Sequence, residues 1–281
     1  MNLQNVITEI EKVDPSVYDR LDSRRQSMKR FAFIGKVLTA AALPAAFGSL
    51  FKKAYGQTSN SDIVNVLNFA LTLEHLEAEF YTRAVAAPGL TATLTGAGRQ
   101  AFITIRDHEL AHVNLLQTVI QQLGGTPVAK PTFDFSGGNG SGNGPYATVF
   151  TNYDVLLAVA QAFEDTGVRA YKGQAPNLMS NNDILTAALR IHSVEARHAA
   201  HVRYMRKNRG ADQDPWITGA DPGGITGPAT AVYAGEDNTT QANVNIVGIN
   251  GQAIDTEGAS EAFDEPLTTA QVLAIVDGFI V

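Results

Sequence analysis

The strongest constraint on what this chain can fold into is a repeated Glu-x-x-His step. It occurs as Glu109 and His112 within Arg106-Asp-His-Glu-Leu-Ala-His112, and as Glu195 and His198 within Val194-Glu-Ala-Arg-His-Ala-Ala-His201. On an α-helix, residues three apart share a face at roughly 4.5 Å axial offset, so each step aims a carboxylate and an imidazole at one point. Two further carboxylates lie in matching apolar seams. Glu74 sits in the stripe Ile63, Leu67, Ala70, Glu74, Glu77, Tyr81, Ala84, and Glu164 in the stripe Leu157, Ala160, Glu164, Gly167, Tyr171. An unpaired buried carboxylate is costly and normally neutralises or finds a cation, so acids in these stripes call for a metal. Glu74 is chosen over Glu77 as the ligand of the first stripe because Glu164 matches it, while Gly167 occupies the place corresponding to Glu77.

The order Glu, Glu-x-x-His, Glu, Glu-x-x-His reads as a duplicated helical hairpin. Glu74 precedes Glu164, and Tyr81 precedes Tyr171, by 90 residues; Glu109 precedes Glu195, and His112 precedes His198, by 86. The spacing predicts a first helix capped by Ser61 or Asp62 and ending near Ala86, before Pro88-Gly89. A second runs from about Gly98 to Leu123, closed by Gly124-Gly125. Thr126 to Gly144 is too rich in glycine for a helix and is expected to be a long surface loop. A third helix spans about Asp154 to Gly173. A fourth, after Pro176, spans about Asn182 to Lys207. Past Asn208 the composition turns to Gly, Thr, Asp, Asn and Val, which predicts an irregular extension packed on the bundle, with a β-prone piece at Asn243 to Val247. A short helix with Thr268 as its cap is expected at the end. The predicted organisation is an N-terminal segment over 1–56, a bundle over 57–208 and the extension over 209–281.

This pattern resembles the ferritin-like di-iron and di-manganese carboxylate proteins, in which two helices give one Glu each and two give Glu-x-x-His. In detail the chain is similar to the exported ferritin-like-domain family that includes plant desiccation-related proteins and many bacterial members. The resemblance covers roughly Asp62 to Lys207. It implies an all-α four-helix bundle with a long crossover between the second and third helices, holding two iron ions or two manganese ions. By resemblance, Glu74 and His112 serve one metal and Glu164 and His198 the other, with Glu109 and Glu195 bridging. Tyr81 and Tyr171 are expected to hydrogen-bond ligand carboxylates on the facing helix, because a hydroxyl in a buried seam wants a partner. Glu77 is expected beside the site, as an extra ligand or a gate. The extension is expected to supply no ligand.

Composition narrows the chemistry. The chain has no cysteine, so disulfides, thiolate zinc and iron–sulfur clusters are excluded, and any metal rests on Asp, Glu and His. A net charge of −7, with no Lys/Arg cluster in the seams, argues against a nucleic-acid partner. Ser23-Arg-Arg-Gln-Ser-Met-Lys29 resembles a twin-arginine export signal and precedes an apolar run from Phe31 to Phe51 broken only by Lys36. A periplasmic or extracellular location follows, with a cleavage point near Ala54-Tyr-Gly56, or an uncleaved anchor as the sole membrane contact. The functions compatible with these residues are a peroxide- or oxygen-consuming oxidoreductase, a metal-binding or storage protein, and a stress-related scaffold; homo-oligomers fit all three. A competing motif overlaps the first step, since His108-Glu-Leu-Ala-His112 spells a zincin site in which both histidines bind zinc. That reading requires His108 and leaves Glu74, Glu164, Glu195 and His198 without a role. His75, His192 and His201 are expected to be solvated or to stand outside the ligand set.

Overall fold

Four long helices carry the seams: α1 (Asn60–Ala86), α2 (Gly96–Gln122), α3 (Tyr153–Gln174) and α4 (Asn182–Lys207). They belong to a computed structural model that describes residues 60–281. The twin-arginine-like motif, the apolar run and the cleavage point lie outside the described residues. Polar side chains set two of the starts, as Asn152 accepts from the backbone N–H of Asp154 and Val155, and Asn181 from that of Ile184. At the end of α2, Gly124 N–H bonds to Gln121 O and Gly125 N–H to Ile120 O, the paired bonds of a Schellman stop. The first helix departs from expectation. Asn60, the first described residue, is already helical, so Ser61 and Asp62 lie within the helix and not ahead of it.

Short connections make α1–α2 and α3–α4 two antiparallel hairpins. Their apolar stripes meet in one core, in which Phe80 of α1 packs edge-on to Phe163 of α3 with ring centroids 5.2 Å apart. Among the described residues no helix is long and apolar enough to cross a membrane.

The long link between α2 and α3 is more than a surface loop. Phe133, Phe135, Tyr146 and Val149 are buried in the core. The glycine-rich turn closes on Asp134, whose carboxylate accepts the N–H groups of Ser136, Gly140 and Gly142 and the Ser136 hydroxyl. The C-terminal residues clamp its start: Val281 N–H donates to Thr132 O, Asp134 N–H to Phe279 O, and Asn139 N–H to Gly278 O, each at 2.9 Å. These distant bonds offset the ordering entropy that local composition alone leaves unmatched.

The extension is the cover of α3. Of the 22 residues of that helix, 16 are buried, so its face opposite the seam also needs a partner. Arg169 on that face pairs with Glu236 at 2.6 Å and donates to the carbonyls of Val232, Ala234 and Glu265. Asp165 accepts from Arg203 and from the Tyr233 hydroxyl, while Arg206 reaches Gln161 and Gly223 O. Gly173 permits the closest approach: a Cβ there would fall 1.9 Å from the Leu267 carbonyl oxygen. The extension also holds a two-residue hairpin, β1 (Thr240–Gln241) with β2 (Val244–Asn245), and two short helices, α5 (Thr256–Glu261) and α6 (Thr269–Val276). The hairpin is shorter than the β-prone run. Its turn residues Ala242 and Asn243 have φ of 50° and 65°, as a type I′ turn requires. Thr268 caps α6 as predicted, and Gln271 returns the bond to complete a capping box.

Candidate metal centre

The six residues singled out from the sequence come together at mid-bundle. Glu74 arrives from α1, Glu109 and His112 from α2, Glu164 from α3, and Glu195 and His198 from α4. They form two overlapping groups, Glu74, Glu109, His112 and Glu195, and Glu109, Glu164, Glu195 and His198. Within each group one donor atom per residue lies within 4.8 Å of the others. Glu109 and Glu195 belong to both. All four carboxylates are fully buried, and none of the six residues comes from the extension.

The donor atoms face a common point more than they face one another. Glu109 Oε1, Glu164 Oε2, both oxygens of Glu195 and Nδ1 of His198 are buried without a hydrogen-bond partner. Yet Nδ1 of His198 lies 2.8 Å from Glu109 Oε1 and 3.3 Å from Glu164 Oε2. Close approach without hydrogen-bond alignment is what a shell of ligands around a cation presents, and buried oxygens left without partners are otherwise costly. The residues therefore fit a metal.

Titration follows the same crowding. Burial pulls His198 down, but Glu164, Glu109 and Glu195 outweigh it and push the imidazole up to about 12. His112 is likewise driven well above the usual histidine range, its burial outweighed by Glu109, Glu195 and Glu74. Burial raises Glu195, but His112 and His198 bring it down to about 2. Glu164 is raised to about 7, burial prevailing over His198. Burial and the charge of Glu195 lift Glu109 well above the carboxylate range.

The two tyrosines cross the bundle. Tyr81 of α1 donates to Glu164 Oε1 of α3 at 2.5 Å, and Tyr171 of α3 donates to Glu74 Oε1 of α1. The exchange obeys the symmetry of the duplication and holds the outer oxygens of both carboxylates in place. A family model described as a ferritin-like domain matches residues 62–208, the same span that supplies these helices. The chain belongs to the ferritin-like domain family. Among curated proteins, none matches it.

The ferritin-like site departs from its own symmetry at two places. Glu77 is 3% exposed, joins neither group, and is raised well above the carboxylate range by burial and by Glu195, Glu164, Glu109 and Glu74. It occupies room left by Gly167, where a Cβ would lie 3.1 Å from Glu77 Oε1. The second departure is His108, which stands outside both groups but places its Nδ1 2.9 Å from His198 Nε2. Sequence reasoning met His108 only as a zinc ligand of the competing motif. The remaining histidines divide: His201 is exposed and His192 contacts Val168 O, whereas His75 is 6% exposed under the crossover and not solvated. Between α2 and α4, a groove of about 670 Å³ opens beside His108 and His198, walled by Ala101, Ile105, Tyr153 and Met205.

Proposed function

We propose that this chain is an exported ferritin-like protein that holds two divalent ions, iron or manganese, and uses them on oxygen or peroxide. The observation that carries the reading is the pair of four-residue donor groups sharing Glu109 and Glu195. Glu74 and His112 would hold one ion and Glu164 and His198 the other, with Glu109 and Glu195 bridging. Four carboxylates then balance two divalent charges, and Nδ1 of each histidine completes its ion. The ions would supply paired one-electron redox changes and Lewis acidity. Tyr81 and Tyr171 keep the outer oxygens of Glu164 and Glu74 from rotating away. The aromatic core around Phe80 and Phe163 excludes water on the α1–α3 side. The α2–α4 groove would admit a small oxidant.

Elemental analysis and the absorption spectrum of natively purified protein, with oxygen and peroxide consumption, test the reading. Two ions per chain are expected, and after reloading with excess metal His108→Ala still holds both whereas His198→Ala has largely lost them. One zinc per chain, lost in His108→Ala and indifferent to His198→Ala, would establish the zincin motif instead. Two ions without consumption of either oxidant would leave a metal-binding protein and defeat the oxidoreductase part. Export rests on Ser23-Arg-Arg-Gln-Ser-Met-Lys29; replacing Arg24 and Arg25 with Lys is expected to retain the protein in the cytoplasm.

A further inference from the structure

We propose that His108 orients His198 and thereby makes the Glu164–His198 position the tighter of two unequal metal sites. The inference rests on the dinuclear reading above and adds a residue that the ligand pattern does not contain. His198 turns Nδ1 toward Glu109, Glu164 and Glu195, so Nε2 is its outward nitrogen. That nitrogen lies 2.9 Å from Nδ1 of His108, with the two rings only 14° from parallel. An imidazole that ligates through Nδ1 carries its proton on Nε2, and the contact is then a hydrogen bond from His198 Nε2–H to His108 Nδ1. Such an outer acceptor fixes the ring against rotation and raises the basicity of the ligating nitrogen.

The other half of the site has no equivalent. His112 presents Nδ1 to Glu74 and Glu109, and its outer nitrogen has no hydrogen-bond partner among the described residues. The duplication explains the difference: the residue 86 positions after His108 is Val194, which has no hydrogen-bonding side chain. The duplicated position thus carries an acceptor for one metal-facing histidine, whereas its counterpart in the sequence, Val194, carries only a methyl pair. Glu74 and Glu164, by contrast, are matched, each with one tyrosine. Glu77 breaks the symmetry without joining either donor group, so among the groups that touch the donors the outer partner of the histidine is where the two positions diverge.

The test is a titration of metal-free protein with Mn2+ alone, followed by crystals grown with one equivalent of Mn2+ and anomalous scattering to locate it. In the unmodified chain the first ion is expected beside His198 Nδ1, with a second, weaker binding step. His108→Leu fills a similar volume without an acceptor. It should weaken the first step by roughly 10- to 100-fold, the range found when an outer partner of a metal-bound histidine is lost, and should abolish the positional preference. His108→Asn returns an acceptor oxygen near the place of Nδ1 and should restore most of the affinity, which a role in packing alone would not. Because His108 is on the exposed side of α2, both variants are expected to fold. Equal occupancy of the two positions in the unmodified chain, an unchanged first step in His108→Leu, or equal losses in the Leu and Asn variants would overturn the proposal. Failure of the unmodified chain to bind Mn2+ would instead defeat the dinuclear reading on which it stands.

Discussion

Metal loading is expected to expel protons, and the number follows from the crowding of the six side chains. His198, pushed up to about 12, and His112, held well above the usual range, are both imidazolium at pH 7 in the metal-free protein. Coordination through Nδ1 requires each to lose a proton. Glu164, at about 7, holds part of another, whereas Glu195 at about 2 is already bare. Binding two ions at pH 7 should therefore release at least about two protons, and the overall two-ion constant should rise at least ~100-fold per pH unit, or about 2.7 kcal/mol. The sign for the metal-free fold is mixed. The two histidines contribute stability that is fully present below their usual value of 6.5 and lost as pH rises through about 12 for His198. Glu164 binds more proton in the fold than its usual value of 4.5 allows, so its contribution falls as pH rises from about 4.5 to about 7. Glu195 acts oppositely, stabilising above 4.5 and losing that contribution as pH falls through about 2. Mn2+ added to metal-free protein in weak buffer with a pH indicator reads the release, and titrations at pH 6 and pH 7 read the slope. Fewer than about one proton per two ions, or an affinity flat between those pH values, would refute the charge arrangement described here.

Glu195→Ala removes a carboxylate common to both donor groups and is expected to strip most of the metal, as measured by elemental analysis, while Glu77→Ala, outside both groups, keeps it; equal losses would move Glu77 into the ligand set. Arg169→Met leaves Glu236 and three backbone carbonyls without their buried partner and should cost about 3–5 kcal/mol in urea unfolding. A cost below about 1 kcal/mol would show that the extension is not fastened to α3 by this residue.

The repeated Glu-x-x-His steps, the two lone glutamates and the tyrosines seven residues after them were legible because helical periodicity converts spacing into a shared face. Four helices and the face each donor occupies follow from that periodicity, the meeting of the six donors was what the family resemblance implied, and turn and capping signals placed the end of α2 and the start of α6 within a few residues. What the extension does was beyond such reasoning. Nothing in the spacing of Gln161, Asp165 and Arg169 marks them for burial, and only the arrival of Val232, Tyr233, Glu236 and Glu265, from 63 to 96 residues away, makes them buried partners. The glycine-rich crossover is ordered for the same kind of reason, through bonds to residues 278–281 that no local window contains. His108 completes the contrast. Its place in the chain suggested a zinc ligand, but the ring that fills its hydrogen bond sits 90 residues on. Periodicity sets which residues share a face of one helix; which side chain meets which across the bundle depends on long-range packing, and packing exists only in the folded chain.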